Sequence, residues 1–167
     1  MRFAAFVMLS CCALAAQAND LAAPDNMQRV GSGTLRWFGL RVYDAELRAG
    51  VRPVTFASPF ALSLRYARGL KGRAIAERSL EEIAALGFGS PAQRAAWAEA
   101  MRALFPDVAE GDSLTGLHLP GRGARFFFNG QLLGEIEDPN FSRAFFAIWL
   151  DPRTRAPSLR AALLGGR

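Results

Sequence analysis

Apolar and polar positions change their spacing several times along this chain, and each change predicts an element. Between residues 29 and 48, Leu35, Trp37, Leu40, Val42 and Tyr43 are strand-formers set around Gly31, Gly33 and Gly39, which predicts a hairpin or a bulged strand. Phe60 to Tyr66 alternates, with Phe60, Leu62, Leu64 and Tyr66 on one face and Ser63 and Arg65 on the other, so this strand covers a core on one side. Beyond Gly72 the period becomes helical. Ala76, Leu80, Ile83 and Ala84 share a stripe opposite Glu77, Arg78, Glu81 and Glu82, predicting an amphipathic helix that ends near Gly87 with Glu81 and Glu82 on its solvent face.

Ser90-Pro91 reads as an N-cap followed by proline at the first helical position. Trp97, Ala100, Met101, Leu104 and Phe105 are the buried stripe of that second helix, and Pro106 stops it. Residues 111–136 return to strands: Ser113 to Leu119, Ala124 to Phe128 and Leu132 to Ile136, with turns at Pro120-Gly121 and Asn129-Gly130. Asn-Gly between apolar runs is a strong hairpin signal. Asp138-Pro139 opens a third helix whose Phe141, Phe145, Ile148 and Trp149 are joined by Phe146 and Leu150 around the circumference, so it packs between layers. A short helix, Ser158 to Leu164, closes the chain. Strands and helices in separate runs, joined by hairpins, predict an α+β fold: an antiparallel sheet covered on one face by helices, in one domain.

The first residues change the picture of where the protein works. Met1-Arg2, an uncharged apolar run from Phe3 to Ala16, and the small-x-small site Ala16-Gln17-Ala18 have the layout of a secretory signal peptide over residues 1–18, cleaved after Ala18. That run is too short to span a bilayer, which takes roughly 20 residues. A soluble periplasmic or secreted protein of residues 19–167 is expected. Leu9-Ser10-Cys11-Cys12 also carries a faint lipoprotein signal, so lipid anchoring is the alternative. Both cysteines lie in the leader, which leaves the mature chain without disulfide or thiolate chemistry. The formal charge of +5 comes from arginines, Lys71 being the one lysine. They are interspersed with acids (Arg41, Asp44, Glu46, Arg48), so a solvated surface is expected and no nucleic-acid partner.

Candidate chemistry is sparse. His118 is the one histidine, so no metal site and no cofactor are expected. Between Leu117 and Leu119 it reads as a half-exposed strand residue. No Gly-x-Ser-x-Gly elbow exists for a serine nucleophile. Glu137-Asp138 complements a helix dipole. What remains is arginine and tyrosine beside an aromatic interior: Arg36, Tyr43 and Tyr66 on strands, with Phe126, Phe128, Phe145 and Trp149 facing the same core. A sheet–helix cleft so lined suits a small amphipathic molecule with a carboxylate or phenolate.

Three segments together resemble the chalcone isomerase-like family, particularly its exported bacterial members: Gly31-Ser32-Gly33-Thr34-Leu35-Arg36-Trp37-Phe38-Gly39-Leu40-Arg41-Val42-Tyr43-Asp44-Ala45, Gly111-Asp112-Ser113 leading to Leu119-Pro120-Gly121, and Phe145-Phe146-Ala147-Ile148-Trp149-Leu150. The resemblance implies an open-faced sandwich of antiparallel sheet and helices with a ligand cleft between them. Enzymes of the family cyclise a chalcone with the help of an arginine, hydroxyls and an asparagine, whereas related plant members bind fatty acids. Here Ile75 falls where the enzymes carry a cleft tyrosine, Glu82 where they carry the asparagine, and Phe38 where they carry a threonine. Arg36 is the nearest match to the family arginine. With those polarising groups replaced, the expected activity is non-catalytic binding of an amphipathic ligand such as a fatty acid, with Arg36 as anion anchor, Tyr43 or Tyr66 assisting, and Phe126, Phe128 and Trp149 lining the cleft. The alternatives are an isomerase acting on an enone or phenolic substrate and an assembly partner in the cell envelope.

Overall fold

The computed structural model describes residues 26–166; the expected leader and cleavage site lie outside the described residues. Six strands follow one another in sheet order: β1 (Gln28–Trp37), β2 (Leu40–Ala49), β3 (Phe60–Tyr66), β4 (Ser113–Leu119), β5 (Gly123–Phe128) and β6 (Gln131–Ile136). All neighbours are antiparallel. Two of the connections are two-residue loops with both residues in the left-handed region, Phe38-Gly39 (φ 48° and 78°) and Asn129-Gly130 (φ 49° and 82°), the backbone that suits strand twist. The first hairpin is also bulged, with register shifts at Arg29/Gly31 and Leu35/Arg36.

Four helices complete the chain: α1 (Gly72–Ala85), α2 (Pro91–Leu104), α3 (Pro139–Leu150) and α4 (Pro157–Leu163). Ser90 caps α2 in a reciprocal box with Gln93. Asp138 caps α3 by accepting from the Asn140 and Phe141 amides, and its other carboxylate oxygen accepts from Trp97 Nε1 at 2.8 Å, which ties α2 to the start of α3. Among the described residues no helix is long and apolar enough to cross a membrane.

The register places Tyr43, Ala45 and Leu47 of β2 opposite Tyr66, Leu64 and Leu62 of β3; Leu64, Leu62 and Phe60 lie opposite Leu114, Gly116 and His118 of β4, and these opposite Phe128, Phe126 and Ala124 of β5. Side chains opposite one another share a face. This face receives the helices, with α3 on β4 and β5 and α4 on β1 and β2. The last helix lies close because β1 offers glycines beneath it: a Cβ at Gly31 would fall on the Ala162 and Leu163 carbonyls. The opposite face is polar over β1–β3. Under β3–β5 it carries a small apolar cluster of Ala61, Leu117 and Phe127 with Met27 and Leu119.

His118 departs from expectation. It is buried on the helix side, stacked on Phe60, with Nε2–H donating to the Phe56 carbonyl at 3.0 Å and Nδ1 accepting from the Ser142 hydroxyl at 2.7 Å. Both ring nitrogens are thus satisfied in the neutral imidazole. Alternation in β4 put it on the core face, and only the arrival of α3 with Ser142 closes over it.

Two outcomes follow from this packing. Gly31→Ala lowers stability by about 1–3 kcal/mol, because backbone must move to admit the methyl. Gly50→Ala, with open space around the new Cβ, stays near neutral; chemical denaturation of both variants checks this. Burial holds the His118 pKa below its ordinary 6.5, so the unfolded chain takes up the proton first. This contribution to stability is therefore intact above that value and is lost as pH falls below it. Urea midpoints measured from neutral to mildly acidic pH decline in the wild type, and decline less in His118→Gln.

Candidate ligand site

The helix-facing side of the sheet carries a continuous line of rings. Phe126 meets Phe145 edge-on at 5.2 Å, Phe145 meets Trp149 at 5.4 Å, and Trp149 Nε1 donates to the Tyr43 hydroxyl at 2.9 Å. Tyr43 meets Tyr66 edge-on across the β2–β3 pair at 6.0 Å. Phe105 and Phe141 close around Phe126 and Phe145, so rings occupy this interior. The line leads from a fully apolar centre to two phenols at the end of β2 and β3.

The phenols have uncommitted protons. The Tyr43 oxygen accepts from Trp149, but among the described residues neither the Tyr43 nor the Tyr66 hydroxyl donates to any acceptor. Burial raises both pKa values, Tyr43 to about 12 and Tyr66 further still. They stand as neutral hydrogen-bond donors and are poor bases.

Beside them, α1 contributes a charged cluster. Arg78 reaches Glu82 at 2.5 Å and also lies 5.2 Å over the Trp37 ring, while Arg155 approaches Glu82 at 3.6 Å. The Glu82 side chain is only 12 % exposed, so it does not stand on a solvent face as the helical period alone predicts. The resemblance was the signal for it, since Glu82 falls at a cleft position of the family. Its charge raises the Tyr43 pKa slightly further, and that of Arg78 opposes the effect.

Of the residues expected to line the cleft, Tyr43, Tyr66, Phe126 and Trp149 are gathered on this line. Phe128 is half-buried against the same core from the end of β5. Arg36 is not among them. It is exposed near the tip of the first hairpin, its guanidinium donating to the Gly39 carbonyl at 3.3 Å, because its neighbour Leu35 packs on the core and strand alternation turns Arg36 away. Two shallow concavities of about 550 and 450 Å³ lie on the polar side of β1–β3, sharing Asp44 and Arg65. The Arg41–Asp44 pair borders them, and the smaller one is also lined by Tyr66, one of the two phenols. Among the described residues no group of three or more histidine, cysteine, aspartate or glutamate side chains is placed to hold a metal ion.

A meandering antiparallel sheet with helices on one face and an aromatic line ending in buried polar groups defines a chalcone isomerase-type fold. Residues 60–165 match the family model described as chalcone isomerase-like, and the chain belongs to that family. Among solved structures, a fatty-acid binding protein of Arabidopsis thaliana is similar over 87 % of this chain and 90 % of its own, with a TM-score of 0.67 and 11 % identity. That likeness shows the shared fold. No curated protein matches the sequence.

The phenols supply a direct check. Absorbance near the tyrosinate band shows no ionisation as the folded protein is taken through pH 10, the ordinary value, and ionisation appears only at or beyond about 12. Tyr43→Phe lowers stability by about 1–3 kcal/mol, because the buried Trp149 N–H loses its acceptor.

Proposed function

We propose that this protein is a non-catalytic carrier or sensor of an amphipathic carboxylate, a fatty acid being the closest fit, and that it works outside the cytoplasm after removal of its leader. One observation carries the reading: two neighbouring phenols, largely buried and protonated, have hydroxyls that donate to no acceptor among the described residues. A carboxylate accepts from both, and charge-assisted bonds of this kind are stronger than neutral ones. Half-buried Leu35, Tyr43 and Ile75 leave an apolar edge against which a hydrocarbon tail lodges. The fold shared with a plant fatty-acid binding protein supports the same assignment.

Cyclisation of a chalcone is disfavoured by the same residues. An enolate needs donors or positive charge aimed at the developing oxyanion. Ile75 supplies neither, and Glu82 brings a carboxylate that occupies Arg78 and Arg155.

Displacement of a fluorescent fatty acid from the purified protein tests the proposal, with native mass spectrometry to identify copurifying ligand. Wild type binds one equivalent. The Tyr43→Phe/Tyr66→Phe double variant binds at least about tenfold more weakly, as loss of charge-assisted bonds requires. Arg36→Ala binds as wild type does. Absence of binding by the wild type, or unchanged affinity in the double variant, removes the reading.

A further inference from the structure

The tip of the first hairpin carries side chains that neither the core nor the turn explains. Phe38 is 91 % exposed, Leu40 61 % and Trp37 55 %, so three large apolar groups stand together at one apex. Phe38 packs edge-on against Trp37 at 5.4 Å and meets little else. Its backbone is left-handed (φ 48°), a conformation that suits Asn or Gly and is an outlier for a bulky residue. The other two-residue turn of the sheet meets the same demand with Asn129. Exposure and backbone therefore both disfavour phenylalanine here, and a strained, exposed aromatic points to a use outside the fold.

Charge around the apex narrows that use. Residues 36–41 and 67–73 carry Arg36, Arg41, Arg68, Lys71 and Arg73 and no acid. The Ala67 amide bonds to the Val42 carbonyl, so Arg68 emerges beside the start of β2 at the same end of the sheet. Arg41 pairs with Asp44, Lys71 with Asp107 and Arg73 with Glu77. Arg36 and Arg68 have no acidic partner among the described residues, and Arg36 bonds only the Gly39 carbonyl of the apex itself.

An apex of tryptophan, phenylalanine and leucine flanked by unpaired arginines matches the boundary of an anionic bilayer. Aromatic rings settle at headgroup depth there, guanidinium groups reach phosphates, and arginine stems lie along apolar surface. We propose that the β1–β2 hairpin tip docks on anionic phospholipid surfaces, with Trp37, Phe38 and Leu40 entering the headgroup layer and Arg36 and Arg68 bound to phosphates. This assignment stands on the apex alone and does not depend on the phenol pair.

Trp37 is the exposed member of three tryptophans, Trp97 and Trp149 being buried, so its emission reports the apex directly. The purified chain is mixed with vesicles of phosphatidylglycerol and phosphatidylcholine, or of phosphatidylcholine alone, each with and without brominated acyl chains. With the anionic vesicles, Trp37 emission shifts to the blue and is quenched by the brominated lipid, and salt weakens the effect. Phe38→Asp/Leu40→Asp reduces the partition coefficient at least about tenfold, as loss of two buried apolar side chains requires. Arg36→Glu/Arg68→Glu removes the preference for phosphatidylglycerol. Both variants keep the wild-type thermal midpoint and, because the phenols are untouched, fatty-acid affinity. Three results overturn the proposal: no quenching, quenching unchanged by the apolar variant, or equal quenching in both kinds of vesicle. A concentration-dependent dimer abolished by Phe38→Asp, without vesicle quenching, overturns it in favour of a second copy as the occupant.

Discussion

The seating of α3 on the sheet at Gly116 is the contact on which the remaining packing depends. A Cβ at Gly116 would come within 2.9 Å of the Phe146 ring and 3.3 Å of Phe126. With hydrogen there, Phe146 descends between β4 and the neighbouring strands and meets Phe60 at 5.1 Å. Helix α3 is apolar round most of its circumference and has no polar face to turn outward, so the sheet must cover one side and α1 and α4 the others. Aromatic pairs of this geometry contribute about 0.5–1.5 kcal/mol beyond the area they bury, and the line from Phe126 to Trp149 accumulates several. Its polar ends are satisfied at each terminus: Asp138 caps the first turn and holds Trp97, and Trp149 in the last turn finds Tyr43.

That last bond sets the character of the edge. Trp149 consumes the Tyr43 oxygen as an acceptor and leaves its proton, while Tyr66 keeps both capacities. Desolvation keeps the two phenols protonated and therefore leaves them as hydrogen-bond donors. Glu82 sits close by without receiving those protons, because Arg78 and Arg155 already neutralise it. A buried carboxylate with two guanidinium partners is a rigid, satisfied group and offers little to a reacting substrate.

Strand β2 joins the two features, since Leu40 begins it at the apex and Tyr43 faces the interior a little further along. They stand on either side of the register shift at Leu35/Arg36. Leu35 packs inward, Arg36 stands in solvent, and the hairpin tip projects past the core, where Arg78 of α1 braces Trp37. The hairpin thus carries an inner polar–aromatic surface and an outer apolar tip.

Much of this was legible in the residue pattern. The period-2 run of Phe60–Tyr66, the Asn129-Gly130 turn, the Ser90-Pro91 and Asp138-Pro139 helix starts and the all-round apolarity of α3 each specify local structure through steric and hydrogen-bond preferences that act within a few residues, and the α+β class follows from their order. Tyr43, Tyr66, Phe126 and Trp149 were recognisable as core-facing because alternation assigns them a side. The resemblance suggested an inward Arg36, but with Leu35 packed on the core alternation turns Arg36 to solvent, where it stands. A helical period cannot show that Arg155, far along the chain, returns to Glu82, or that α3 brings Ser142 down on His118. Those depend on contacts between distant segments, whose energies are decided by how whole elements pack. Local preference determined the elements and their faces; only the tertiary structure decided which polar groups found partners and which two hydroxyls were left with protons to donate.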